Sequence, residues 1–336
     1  MATTQLADVY NPAAFARRTT IKQVELNAFL ASGVAIADPV ITEKLSGGAS
    51  QIDIPRLQGV TIKEPNYSND NPADTSTPGK VSTKVQKARS ASRNESWSAM
   101  DLSRELTDKD PVGAITETVG GFWATDDEKR LIQSCLGILA DNVANDSSDM
   151  VKNVASDAVG AVTDAERISG NVVIDAAQTL GDHKTKLASI AIHSIQHSRL
   201  QKLGLIVNNF DPQTGTLAYQ TYLGYRVIVD DSLPVTVGTN RITYTAILFA
   251  AGAIGYGTGK VQTPSETERI ANAGNGGGQT VIHSRVNTCY HPYGFAFGSA
   301  SVAGQSPTYG ELANAANWDR VVARKQVPIA FIQIND

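Results

Sequence analysis

The chain has 336 residues, of which 41% are hydrophobic and 18% charged. That mixture excludes an intrinsically disordered chain, and the length allows about two domains at roughly 150 residues each. With 29 Lys and Arg against 33 Asp and Glu, a formal net charge of -4, a wide basic face that grips nucleic acid is also excluded, leaving only loose, local contact.

The first residues, Met1 to Asp8, lack the basic-then-apolar order of a secretory signal. Residues 1 to about 40 combine short amphipathic pieces with Pro12 and Pro39 and hold no core of their own, which predicts an arm lying against something else, such as a neighbouring subunit. From Gln51 to Leu57 apolar and polar residues alternate with period two, the mark of a half-buried strand, and Pro55 places it at a sheet edge. A polar strand returns over about Val81 to Met100. Between them, Glu64 to Gly79 is rich in Asn, Asp, Pro and Gly and has no apolar anchor. The whole is predicted to be a long protruding hairpin that needs an external partner to hold it. Its return strand carries Lys80, Lys84, Lys87, Arg89 and Arg93, with no acidic residue between Thr75 and Asn94. A solvated face, ion pairing to an acidic patch on another subunit, and contact with DNA are the three readings of that row.

Asp110-Pro111 supplies an N-cap and a proline at the first helical position. Val112, Ile115, Val119 and Phe122 then fall on one stripe, continued by Leu131, Cys135 and Leu139, so the predicted helix runs to about Asn142. Gly120 and Gly121 inside it cost roughly 1 kcal/mol each relative to Ala. Close packing, a break between two helices, or a bend used in a change of shape would account for them. Val-rich pieces from Met150 to Gly170 predict short strands, and Val172 to Gly181 predicts a short helix closed by glycine. Leu187 to His193 alternates like a buried strand, and Ser194 is placed to cap a helix bearing Leu200 and Leu203. A strand feeding a helix points to an α+β domain. Tyr222 to Asp231 is a strong strand closed by Ser232-Leu233-Pro234, and Tyr244 to Gly257 predicts a further buried pair of elements. The longest apolar run, Ala246 to Tyr256, is too short for a membrane helix, which needs about 20 residues. Asn272 to Gly278 predicts a flexible loop.

Signals for chemistry are sparse. Cys135 and Cys289 are far apart and form no CxxC pattern, so two buried thiols are expected rather than a disulfide framework or a zinc site. His193 and His197 have the spacing of a HExxH helix, but Ser-Ile-Gln lies between them and the general-base Glu is missing. Gly255 to Lys260 superficially resembles a phosphate loop, yet Ile254 stands where that motif needs glycine and Val261 where it needs Ser or Thr, so a turn is expected. No GxSxG elbow occurs. Trp97, Trp123 and Trp318 are too scattered to argue for a nucleic-acid platform and are expected in the core or at an interface.

The tail orders His291-Pro-Tyr-Gly-Phe295, Ser306-Pro-Thr-Tyr-Gly-Glu-Leu312, Asn317-Trp-Asp-Arg320 and Val327-Pro-Ile-Ala-Phe-Ile332. This series resembles the closing segment of tailed-bacteriophage major capsid proteins of the Hong Kong 97-like fold. Ala188 to Ser194 with Leu200 to Leu203, Gly224 to Asp231 with Pro234, and Tyr244 to Gly255 are similar to earlier blocks of that family and occur in family order. The resemblance implies an α+β chain divided into an N-terminal arm (1–44), an extended β-hairpin loop (45–100), a peripheral domain with a long spine helix (101–170 and 280–336), and an axial domain (171–279). It further implies self-assembly as pentamers and hexamers into an icosahedral shell around double-stranded DNA, contacted weakly, with assembly in the host cytoplasm. A separate scaffolding protein, a portal and a decoration protein are the other partners it brings. No catalytic, cofactor-binding or metal-ligating residue is expected. The alternatives are an encapsulin-type compartment shell of the same fold, a metal-dependent hydrolase using His193 and His197, and a monomeric binding module.

Overall fold

The computed structural model describes residues 28–57, 63–79, 81, 83–101 and 111–336. Two sheets organise it. The first is built on β14 (Gln279–Pro292), which pairs antiparallel along one flank with β4 (Ala91–Met100) and along the other with β13 (Ser265–Ile270) and β12 (Ile254–Thr258). A short β1 (Ala35–Ala37) adds in parallel to β12, closing a five-stranded sheet.

The second sheet has eight strands, in the order β5 (Val151–Asn153), β17 (Ile329–Asn335), β11 (Ile242–Ala250), β6 (Leu187–Ile192), β9 (Tyr225–Val229), β8 (Leu217–Tyr222) and β7 (Val207–Phe210), with β10 (Val235–Val237) also paired to β11. Tyr244 to Ala250 are all buried, which is why β11 reads as a continuous apolar run: it is a central strand covered on both faces. On one side lie α4 (Gly170–Gln178) and α5 (Ser194–Lys202), which contribute Val173, Ala176 and Leu200 to a cluster with Ile190, Leu248 and Ile332. On the other side is the main core, where Phe249 and Phe331 meet α3 (Pro111–Asn145), the 35-residue spine of the molecule.

The helix α3 serves both sheets. Its first half crosses the five-stranded sheet, where Val119 and Trp123 pack on Ile282 and the Trp123 Nε1–H donates to Ser284 Oγ at 2.9 Å. Its second half sends Leu131, Ile132, Cys135 and Ile138 into the main core beside Phe295, Phe297 and Trp318. The helix is unbroken through Gly120 and Gly121, which overturns the reading of a break there. Phe122 also departs from its predicted stripe: it is 42% exposed, and Trp123 takes the buried position. The buried line rotates because the surface beneath the helix changes from sheet to core partway along. The predicted cap Asp110 lies outside the described residues, as does the side chain of Val112.

Several other expectations are corrected. From residue 28 the predicted arm contributes to the chain's own core, through Phe29, Val34 and Ala35; residues 1–27 lie outside the described residues. In 150–170 only Val151–Asn153 is a strand. The stretch that follows is shaped instead by Asp157, whose carboxylate accepts the backbone N–H groups of Thr239, Asn240 and Arg241 at 2.8–2.9 Å. His193, not Ser194, caps α5, its Nδ1 accepting from Ile195 N at 3.3 Å. The loop at 272–278 is the turn between the paired strands β13 and β14, pinned where Asp101 N–H donates to the Gly278 carbonyl at 3.1 Å. The first sheet therefore runs across the boundary expected at 279.

Candidate assembly surfaces

The hairpin is the first of two candidate surfaces. Its root is a two-stranded ribbon of β2 (Gln51–Leu57) and β3 (Thr83–Arg89), with Pro55 on the outer strand as predicted. One face of the ribbon is apolar: Ile52, Ile54 and Ala88 pack with Cys289 and with Ile41 and Leu45 of α2 (Pro39–Ser46). In turn α2 lies on β12, where Gly255, Gly257 and Gly259 present a surface without side chains; a Cβ on Gly257 would stand 2.7 Å from Ile41 Cγ2. The segment expected to be a turn, Gly255 to Lys260, is thus mostly strand, its glycines alternating so that one face is smooth enough to seat a helix. Beyond the root, every described residue from 63 to 79 is exposed, Tyr67 to 78%. Side-chain bonds among the described residues there are local: Tyr67 O–H to Glu64 at 3.0 Å, Asn69 Nδ2–H to Asp74 at 2.6 Å and Lys63 Nζ–H to the Thr77 carbonyl at 3.1 Å.

The basic row on the return strand divides. Arg93 turns inward, bonded to Asp126, Asp127 and Thr288 with its guanidinium 5.4 Å above the Trp123 ring, and so ties β4 to α3. Arg89 donates to the carbonyls of Gln305 at 3.1 Å and Gly304 at 2.9 Å. Lys84 and Lys87 remain exposed on the ribbon, and Lys80 lies outside the described residues. Ion pairing within the chain, a fourth role beside the three expected, therefore claims one member of the row and backbone carbonyls another.

A second surface lies at the far end of the eight-stranded sheet. Leu203, Leu205, Val207, Phe210, Leu217, Tyr219 and Leu223 are between 44% and 61% exposed around β7 and β8, and β7 is the sheet's last strand. Exposed apolar side chains gathered beside an unpaired strand edge make this end of the sheet a candidate for protein contact. Composition alone could not reveal it, because apolar residues in strands read as core until the sheet order shows that nothing covers them.

The groups considered for chemistry are engaged structurally. His193 Nδ1 stands 3.5 Å from Asp231 Oδ1 and its ring packs on Tyr244, while His197 Nε2 is 2.7 Å from Gln220 Oε1. Neither ring nitrogen is shown facing the other histidine, and among the described residues no cluster of three or more His, Cys, Asp or Glu could hold a metal. Burial pushes both Cys thiols up to about 12, so neither is a ready nucleophile at neutral pH. Glu128 is raised to about 7, first by burial and then by the negative charge of Asp230. Trp97 is partly buried against Phe122, and Trp123 and Trp318 are buried. Among the described residues no helix is long and apolar enough to cross a membrane.

The fold is that of tailed-phage capsid subunits of the Hong Kong 97-like type. The capsid of Ralstonia phage GP4 superposes with a TM-score of 0.58 at 10% identity, over 90% of this chain and 88% of that one. A structure from Mycobacterium phage Bobi superposes with a TM-score of 0.53 at 9% identity, over 91% and 89%. In sequence, the major capsid protein of Bacillus phage SPP1 is 33% identical over 340 aligned positions, spanning 98% of this chain and 97% of that one. The chain belongs to the Gp13-like family of major capsid proteins, which it matches over residues 75–327. Its function is accordingly structural, as a subunit of the virion shell.

Proposed function

We propose that the chain assembles as pentamers and hexamers into an icosahedral shell enclosing the double-stranded DNA of a tailed phage, in the host cytoplasm, and catalyses no reaction. The observation that carries this reading is the exposed limb at 63–79, rooted on the chain's own core, whose side-chain bonds among the described residues are local. Such a limb gains order by burying its surface on a neighbour. The apolar surface around β7 and β8 supports contact at a second place, suited to a capsomer centre.

The organisation that fits is a hairpin loop over about 47–90, a peripheral unit of the five-stranded sheet with the first half of α3, and an axial unit of β6 to β11 with α4 and α5. In this division β5 and β17 bridge the two units through the second sheet. A separate scaffolding protein and a portal are the partners it requires, with a decoration protein bound outside. DNA contact is weak, consistent with the net charge of -4. Electron microscopy of the purified protein should show closed shells or ring-shaped capsomers; a persistent monomer under assembly conditions would overturn the proposal. Protein cargo in place of nucleic acid inside the particle would indicate a compartment instead.

A further inference from the structure

Gln86 is 0% exposed, and among the described residues neither its Oε1 nor its Nε2 has a hydrogen-bond partner. It sits in the root of the hairpin, directly across from Ile54 in the ribbon and two residues from Ala88, on the buried apolar face. The sheet strand β15 (Phe295–Phe297) also packs on β3. A buried amide with nothing to bond opposes its own burial, since water would satisfy both groups as soon as the strand lifts. The residues that end the ribbon are in the opposite condition. Ser90 N–H and Oγ–H both donate to the Ser50 carbonyl, at 3.0 and 3.2 Å, and Arg89 is fixed to Gly304 and Gln305. The root thus has a firm pivot at Ser50 and Ser90 and a weak seat immediately beyond it.

We propose that Gln86 is the release element of the hairpin: its unpaired amide keeps the seated ribbon metastable, so that the limb resets its angle about the Ser50–Ser90 pivot when a second copy engages it. The role of a second copy rests on the assembly reading above; the weakness of the seat does not. An apolar residue of similar reach should fill the site without the unmet bonds, whereas a charge there should weaken the seat further.

The test is hydrogen exchange of the unassembled full chain, followed on peptides covering 83–89, for the wild type, Gln86→Leu and Gln86→Glu. Exchange should slow at least tenfold in Gln86→Leu, equivalent to about 1.4 kcal/mol, and quicken in Gln86→Glu, with peptides from α3 unchanged in both. Equal or faster exchange in Gln86→Leu would overturn the proposal, as would protection in Gln86→Glu. Shell formation by Gln86→Leu, followed by light scattering, should be slower than wild type. If the wild type itself forms no particles, the assembly reading fails while the exchange result still decides the seat.

Discussion

Gly137, in the interior of α3, shows how tertiary packing reverses a local preference. In an exposed helix, Ala in place of Gly stabilises by about 1 kcal/mol. A Cβ at 137, however, would stand 2.6 Å from Trp318 Cδ1 and closer still to Trp318 Nε1 and the Leu312 carbonyl oxygen. Those last two atoms form a buried hydrogen bond of 2.7 Å, so the methyl group must displace the bond as well as the ring. Overpacking costs about 1–3 kcal/mol, and leaving the buried donor and acceptor unpaired costs a further ~1–3 kcal/mol. Less the helical gain, Gly137→Ala should destabilise by about 1–5 kcal/mol. Thermal unfolding of the unassembled protein is the assay, and the midpoint should fall by roughly 5 °C. Gly310→Ala is the control, since nothing lies within 4 Å of its would-be Cβ. A midpoint for Gly137→Ala equal to or above wild type would refute the reasoning, because Trp318 would then be loosely docked.

Arg93→Met removes the ion-pair partner of Asp127, whose side chain is 0% exposed and keeps the Thr288 hydroxyl as a donor, and should cost about 3 kcal/mol in denaturant unfolding; adding Asp127→Asn should recover part of that loss. Glu128 keeps its proton in the folded chain up to about pH 7, against 4.5 for an ordinary glutamate, because burial and then Asp230 disfavour its charge. Folding therefore takes up a proton between those values, so this group's contribution to stability falls as pH rises from about 4.5 to about 7, and Glu128→Gln should flatten that part of a stability–pH profile. Phe210→Ser, at a side chain 61% exposed, should leave the unfolding midpoint of the free chain within about 1 °C while reducing particle yield in sedimentation. Deleting residues 58–80 should abolish assembly while circular dichroism shows the rest of the fold intact.

How much of this was legible depended on whether a segment's surroundings were written in its own residues. The central strand β11 was, because a strand covered on both faces must be apolar throughout. The hairpin root and α3 were legible too, through turn chemistry in 64–79 and through Pro111 at the start of the helix, but the return strand expected over 81–100 breaks at Ser90, and β4 joins the five-stranded sheet. Phe122 was assigned to the wrong side because helical periodicity gives a face but not the point where the packing partner changes, whereas Trp123 is buried as expected. Gly255, Gly257 and Gly259 carried a usable signal, an alternation of period two, which the likeness to a phosphate loop obscured; what α2 does with that smooth face depends on a contact more than 200 positions away in sequence. His193 as a cap was missed because its Nδ1 does what Ser or Asp ordinarily does. Gln86 could not have been flagged, for nothing in a polar strand marks one amide as the one without a partner.

The strand β17 is inserted between β5 and β11, with Ile329 to Ile332 and Ile334 all 0% exposed. A nascent chain on the ribosome thus carries an open slot in the middle of its larger sheet until residues 329–335 have emerged. Neither flank can close without them, and both expose apolar strand to solvent while they wait. The order of synthesis then acts as a clock: every other strand of this sheet is made before β17, and a copy stopped short of residue 329 presents a defective edge instead of a joinable one.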